Sequence, residues 1–198
     1  SYNDGAEALR GLSSQPADLA ILDIKMPRMD GMELLGRLRK QSQMPVIFLT
    51  SKDDEVDEVL GLRMGADDYV TKNMSLPHLL ARVSALFRRA DIAREAAPAE
   101  DLLARGPLQL DLQRFSVRWN QHDVDLTLTE FWMVHALAKY PGHVKNREQL
   151  MGEVHIVVDD STITSHIKRI RRKFAAVDPA FDCIDTVYGL GYRWRAES

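Results

Sequence analysis

The stretch that decides the fold is Leu19-Ala-Ile-Leu-Asp23-Ile-Lys-Met-Pro27-Arg-Met-Asp-Gly31. A continuous apolar run, the mark of a parallel strand covered on both faces, ends in an aspartate and passes directly into a Pro/Gly loop. In an open α/β sheet, ligands and chemistry gather at the carboxyl ends of strands. On either side of this stretch, strand and helix patterns alternate. Residues 6–12 read as a helix, with Asn3 or Asp4 as its cap, and 31–40 as a second helix. Residues 45–50 and 68–71 are apolar strands. Residues 53–64 and 75–89 are helical, the latter with Leu76, Leu79, Leu80, Val83 and Leu86 on one side. This alternation predicts a doubly wound parallel sheet with helices on both faces, an α/β domain over residues 1–90.

Residues 91–103 are rich in Ala, Glu and Asp and contain Pro98, as a linker does. The period then changes. Residues 108–112, 115–119 and 124–128 alternate apolar and polar as antiparallel strands do. Thr127-x-x-Glu130 is a capping box opening a helix to Lys139. Helices follow over 147–154 and 160–175, and strands 184–187 and 192–194 flank Gly189-Leu-Gly191 as a closing hairpin. Residues 104–198 thus form a separate α+β domain.

Asp23, Thr50 and Lys72 each close one of three successive strands of the first domain. A strand-end aspartate alone is commonly a cap or a solvated group. A carboxylate, a hydroxyl and an ammonium converging at one sheet edge are what phosphoryl acceptance requires, because such transfer is mainly positioning and charge stabilisation. Asp23-x-x-Met-Pro27-x-Met-Asp-Gly31, Phe48-Leu-Thr50-Ser and Gly65-Ala-Asp-Asp-Tyr69-x-Thr-Lys72 resemble the receiver domain of bacterial two-component response regulators. The resemblance implies a flavodoxin-like fold in which Asp23 accepts phosphate from a sensor histidine kinase. Thr50 and Lys72 would hold the phosphoryl oxygens and Tyr69 would be the switching aromatic. Mg²⁺ would be bound by Asp23 and the backbone carbonyl of Lys25. Receivers begin with a further strand, helix and strand, some 30 residues, including an acidic pair that holds the metal. The expectation is therefore an incomplete receiver: either a fragment of a longer protein or a receiver that does without metal. Asn73 stands where the family has proline, which predicts a trans Lys72–Asn73 bond and a displaced Lys72 ammonium.

In the second domain, Ile163, Ile167, Ile170 and Phe174 are spaced 4, 3 and 4 and predict a buried seam. Thr162, Ser165, His166, Arg169, Arg172 and Lys173 are assigned to the opposite, solvent-facing side, a basic face suited to the major groove. Leu126-Thr127-x-x-Glu130, Thr162-Ile-x-x-His166-Ile-Lys-Arg169-Ile-Arg and Asp185-Thr-Val-Tyr-Gly189-Leu-Gly191-Tyr-Arg193 resemble the winged helix-turn-helix of OmpR/PhoB-type regulators. Ile24-Lys25-Met26-Pro27-Arg28-Met29 and Val158-Asp-Asp160 point to its ChvI-like members. The resemblance places Ser165 and Arg169 at base-facing positions, and Thr162, His166, Lys168 and Arg171 at phosphate-facing ones. Tyr188 stands where the wing often carries arginine. It further implies a receiver-mediated homodimer, with Asp68 and Arg82 matching one salt bridge of the dimer face and Glu58 and His78 a second of reversed polarity. RNA polymerase is a further implied partner.

The bulk numbers fit this reading. The net charge is −3, and residues 1–95 and 96–198 carry 13 basic against 15 acidic and 13 against 14 groups, so a DNA-binding surface must be a local patch. The single cysteine, Cys183, excludes an internal disulfide and suits a reducing cytoplasm. No apolar run approaches the roughly 20 residues of a membrane span. A flavodoxin-like enzyme would need a Gly-rich phosphate loop or a nucleophile–base pair, and neither is found, so the expectation is a regulator and not an enzyme. The alternative is a phosphate-independent winged-helix regulator with a degenerate receiver. Ser161 and Tyr188 replace common arginines of the family, so the monomer is expected to bind DNA weakly and to depend on dimerisation. Equilibrium titration of duplex DNA with monomeric protein checks this, and nanomolar affinity at physiological salt would contradict it.

Overall fold

The computed structural model describes residues 1–51, 65–95, 102–153 and 160–196. Two compact units divide the chain, Ser1–Leu80 and Ala81–Ser198. The first contains α1 (Gly5–Ser14), β1 (Ala20–Asp23), α2 (Gly31–Leu38), β2 (Val46–Thr50) and β3 (Asp68–Thr71). Helix α3 (Leu76–Glu95) runs across the division. Asp4 is the α1 cap, its side chain accepting from the Glu7 amide, and Asp30 caps α2 through the Glu33 amide. The three strands are parallel in the order β1-β2-β3, with Ala20 opposite Val46 and Ile47 opposite Asp68. Their apolar runs fill the core: Val46, Ile47 and Phe48, with Leu34 and Leu35 of α2, are fully buried. Burial of each such side chain is worth roughly 1.5–3 kcal/mol. Among the described residues β1 has one neighbour, β2. Its Ile21 is exposed, and it borders a cavity of about 490 Å³ lined in part by Ala8, Leu12 and Met26. The expected helix over 53–64 lies outside the described residues.

The second unit opens with an antiparallel meander, β4 (Leu102–Arg105), β5 (Leu108–Asp111), β6 (Ser116–Trp119) and β7 (His122–Asp123). Asn120 and Gln121, both at positive φ, make the two-residue turn between β6 and β7. Then come α4 (Leu128–Ala138), α5 (Arg147–Glu153), α6 (Asp160–Val177) and the hairpin β8 (Ile184–Val187)–β9 (Gly191–Trp194). The capping box at Thr127 and Glu130 is present. Trp119, Phe174, Phe181 and Trp194 meet edge-on or stacked at 4.4–6.3 Å between ring centres, joining sheet, α6 and hairpin.

Two expectations need correction. Helix α3 continues to Glu95, and a strand begins at Leu102, so the expected linker over 91–103 is ordered at both ends. The Ala, Arg and Glu that read as linker are also strong helix formers. Residues 124–128 are not a strand; Val124 and Leu126 are buried in the lead-in to the α4 cap.

Gly191 is where the hairpin is bound to the rest of the unit. Lys145 and Tyr192 exchange two backbone hydrogen bonds, at 2.8 and 2.9 Å. Gly191 has φ +142°, and a Cβ there would lie 2.1 Å from the Lys145 carbonyl oxygen. Gly191→Ala should therefore destabilise this unit by roughly 3 kcal/mol or more, strain and clash together. Urea unfolding followed by Trp fluorescence checks this, since Trp194 lies three residues away.

Candidate functional site

The parallel register sets the carboxyl ends of the three strands level. Asp23 lies opposite Leu49, Thr50 lies opposite Thr71, and Lys72 is the next residue on. The Lys72 amide donates to the Thr50 carbonyl at 2.7 Å, extending the ladder by one step. From there its ammonium reaches Asp23 Oδ2 at 2.6 Å. The Lys25 amide donates to Asp23 Oδ1 at 3.1 Å, and the buried Thr50 hydroxyl donates to the Ser51 carbonyl at 3.1 Å. The structure thus brings together Asp23, Thr50 and Lys72. There is no cis peptide among the described residues, so Lys72–Asn73 is trans as expected, but the ammonium is not displaced. Gly31 makes this edge possible, because a Cβ there would lie 2.3 Å from the Asp23 carbonyl. Tyr69 is buried beside it on β3. Such an edge presents a nucleophilic carboxylate with a cation and a hydroxyl at hand.

The expected metal fits less well. Mg²⁺ takes about six oxygens in near-octahedral geometry. Of the expected ligands, the Asp23 carboxylate has one oxygen held by Lys72 and the other by the Lys25 amide, and the Lys25 carbonyl would be the second. No group of three or more His, Cys, Asp or Glu able to hold a metal occurs among the described residues. The set present does not fit Mg²⁺.

Of the expected dimer face, Glu58 lies outside the described residues. His78 is exposed, with its Nδ1 2.7 Å from Ser75 Oγ, and Arg82 is half-buried. Asp68 is only 4% exposed and its Oδ1 accepts from the Tyr69 amide, so its expected place on an open dimer face is corrected.

On α6 the seam of Ile163, Ile167, Ile170 and Phe174 is buried as expected. The opposite face is not the one expected. Thr162, His166 and Arg169 are 1%, 0% and 4% exposed. They face inward because Glu130 of α4, itself fully buried, receives Arg169 Nε at 2.7 Å and Lys173 Nζ at 2.6 Å. The Thr127 amide adds a third donor at 3.0 Å. Arg169 also donates to His166 Nδ1 at 2.5 Å. A guanidinium only donates, so His166 is the neutral tautomer with its proton on Nε2. Burial pushes the Glu130 carboxyl up, but the Arg169 and Lys173 charges outweigh it and hold it at about 2. Arg169 is therefore a buried ion-pair partner and not a base-reading side chain, and Thr162 and His166 are not surface phosphate contacts. The residues α6 turns to solvent are Thr164, Lys168 and Arg172, with Ser165 and Arg171 half-buried. Arg171 donates to the Ile184 carbonyl and Thr186 Oγ1, tying the hairpin to the helix. At the hairpin tip Tyr188 is 93% exposed. Arg193 and Arg195 both bond Asp185, whose carboxyl is held below the usual range, first by the Arg195 hydrogen bond.

Known proteins share this organisation. Residues 1–84 match the family described as response regulator receiver domain, and residues 121–194 match transcriptional regulatory protein, C terminal. The transcriptional regulatory protein BaeR of Escherichia coli O6:H1 is 39% identical over 197 residues, 98% of this chain and 81% of BaeR. The sensory transduction protein RegX3 of Mycolicibacterium smegmatis is 39% identical over 194 residues, 96% of this chain and 85% of RegX3. The chain belongs to the OmpR/PhoB-type response regulators. A solved structure of a RitR mutant, 22% identical and covering 99% of this chain and 87% of its own, matches with a TM-score of 0.75 and so shares the fold. The regulator accordingly pairs a receiver with a winged-helix DNA-binding domain, and such proteins act in two-component control of transcription. Receivers of this family generally bind Mg²⁺ for phosphorylation. No helix among the described residues of the regulator is long and apolar enough to cross a membrane.

The Glu130 network is the part of this regulator that sequence reasoning missed, although a signal was present. Thr162, His166, Arg169 and Lys173 repeat at 4, 3 and 4, one residue ahead of the apolar seam, as a second inward stripe would. Removing one partner of a buried pair leaves an uncompensated charge, so Glu130→Ala should cost roughly 3–5 kcal/mol. The carboxylate's stabilisation is present above its ordinary value of 4.5 and is lost as pH falls toward about 2. Urea midpoints measured across that window should fall in the wild type and stay flatter in Glu130→Gln.

Proposed function

We propose that Asp23 accepts a phosphoryl group from a sensor histidine kinase, and that the phosphorylated regulator dimerises and binds specific DNA to control transcription. The observation that carries this reading is the Lys72 ammonium 2.6 Å from the Asp23 carboxylate, with the Thr50 hydroxyl on the adjacent strand end. In the transfer, an Asp23 carboxylate oxygen attacks phosphorus. The phosphorus–nitrogen bond of the phosphohistidine breaks, and the leaving imidazole recovers a proton from solvent. The product carries more negative charge than the carboxylate it replaces. Lys72 can move from carboxylate to phosphoryl oxygen, and the Thr50 hydroxyl can turn from the Ser51 carbonyl to another. Tyr69, buried one strand away, would sense that change.

Dimerisation would use the exposed His78 and the half-buried Arg82, with Glu58 as a further partner; exposed Leu76 and Leu80 lie beside them in sequence. On DNA, Thr164, Ser165, Lys168 and Arg172 of α6 would enter the major groove, and Tyr188 would meet the minor groove. RNA polymerase would be contacted from the bound dimer, in the cytoplasm. A ChvI-like choice of operator rests on residues 24–29 and the approach to α6. The phosphate-independent reading is favoured by one observation, the oxygen set that does not fit Mg²⁺.

Incubation with a low-molecular-weight acyl phosphate and a magnesium salt, read by phosphate-affinity gel shift, separates the two readings. The wild type should be modified, Asp23→Asn should not, and Thr50→Ala and Lys72→Ala should react roughly tenfold or more slowly. A wild-type chain that stays unmodified would favour the phosphate-independent regulator.

A further inference from the structure

Between β1 and α2 the chain crosses from Ile24 to Asp30, and both ends of the crossing are fixed. The Ile24 amide donates to the Leu49 carbonyl at 3.2 Å, the Gly31 amide donates to the Ile24 carbonyl at 2.9 Å, and Met29 is buried. In between, Lys25, Pro27 and Arg28 are exposed. The turn in this stretch is unusual. The Met29 amide donates to the Pro27 carbonyl at 2.8 Å, which closes a γ-turn centred on Arg28, and Arg28 has φ +67°. A γ-turn with positive φ is the rare and strained form, and a side chain other than glycine adds to the strain. Such a conformation persists where its surroundings over-determine it. Here the surroundings are the start of α1. Arg28 donates to Oδ2 of the buried Asp4 carboxylate, while Asp4 Oδ1 accepts from the Glu7 amide as the cap of α1. The adjacent Gly5 lies so close to the turn that a Cβ would come 2.6 Å from the Met29 carbonyl oxygen.

We infer that Arg28 is a positioning residue for phosphoryl acceptance and that Asp4 acts through it. The inference rests on the reading of Asp23 as the acceptor. The turn that Arg28 holds lies three residues beyond Lys25, whose amide donates to Asp23 Oδ1 at 3.1 Å. With Lys72 on Oδ2 and that amide on Oδ1, the plane of the carboxylate is fixed before a phosphoryl donor arrives. An acceptor oxygen aimed in advance reacts faster than one that must first be oriented. With the tie to Asp4 cut, the turn relaxes toward negative φ, the crossing shifts, and the Lys25 amide leaves Asp23. The Arg28 side chain is 73% exposed, so the pair adds little to stability. What it sets is the place of the loop.

The test follows initial rates of modification of the full chain by the acyl phosphate at varied concentration, together with the Lys25 amide resonance in a nitrogen–proton correlation spectrum. Arg28→Gln keeps the strain and loses the tie. It should lower the maximal rate roughly three- to tenfold, leave the half-saturating acyl phosphate concentration within about twofold, and move the Lys25 amide upfield. Arg28→Gly also loses the charge, but glycine adopts positive φ without strain, so the turn can stand untied and part of the rate should return. Asp4→Asn keeps the α1 cap and weakens the tie, so it should act in the same direction as Arg28→Gln. The double variant should be no slower than the slower single one, because the two residues act as one unit. Arg28→Gln with the wild-type rate and an unmoved Lys25 resonance would overturn the inference. So would Arg28→Gly as slow as Arg28→Gln, which would make the charge and not the turn the active feature, and so would additive losses in the double variant. If Arg28→Gln does not fold, Asp4→Asn carries the same two readouts. A wild type left unmodified by the acyl phosphate removes the acceptor reading and this inference with it, whereas a modified wild type with unaffected variants removes this inference alone.

Discussion

Everything the winged-helix unit offers to solvent depends on one buried carboxylate. Glu130 sits on α4 with no exposure and takes donors from Thr127, Arg169 and Lys173. Buried ion pairs roughly break even against apolar packing, so its importance is not a large gain in stability. It lies in geometry. An apolar seam settles which face of α6 is buried, and the need to deliver Arg169 and Lys173 to a single carboxylate adds a directional constraint to it. The roll of α6 about its axis is thereby set. The outward positions of Thr164, Ser165, Lys168 and Arg172 follow from that, and so does the meeting of α6 with the hairpin.

The receiver is organised by a different constraint, strand register. Parallel pairing with evenly spaced bonds brings the ends of β1, β2 and β3 level, so that the residues closing or just following them are neighbours without any dedicated contact. Gly31 then lets α2 begin against the Asp23 backbone, where any side chain would force the helix away. One unit fixes its site through side-chain charge and the other through backbone geometry. This difference also explains how differently the two sites could be read from sequence.

Strand ends are legible because a continuous apolar run has an unambiguous last residue, and Asp23, Thr50 and Lys72 were found that way. The α6 face was not legible. Charged residues on a helix are assigned outward because an isolated buried charge is very costly. That rule fails once a partner charge is buried too, and the partner of Arg169 is 39 positions away on another helix. No local period reveals such a pairing. The capping box at Thr127 and Glu130 was readable, but it identifies only the backbone duty of Glu130 and leaves the second carboxylate oxygen unaccounted for. The same limit explains residues 124–128, whose alternation is real but serves burial of Val124 and Leu126 ahead of a helix, not strand pairing.

Lys72 illustrates how a local substitution can leave a site unchanged. Asn73 alters the bond after Lys72, and a displaced ammonium was the natural expectation. The Cα of Lys72, however, is fixed from the other side, by its amide bonding the Thr50 carbonyl at 2.7 Å. From that anchor a flexible four-carbon stem reaches Asp23 whatever follows in the chain. The charge arrangement has a consequence for the resting state. With Lys72 on Oδ2 and the Lys25 amide on Oδ1, the Asp23 anion is already compensated by a group that is 44% exposed and free to swing. A phosphoryl group arriving at Asp23 would bring its own negative charge, so the ammonium would exchange one anionic partner for a stronger one. The cation never has to be stripped of a partner, which keeps the cost of opening the carboxylate for attack small.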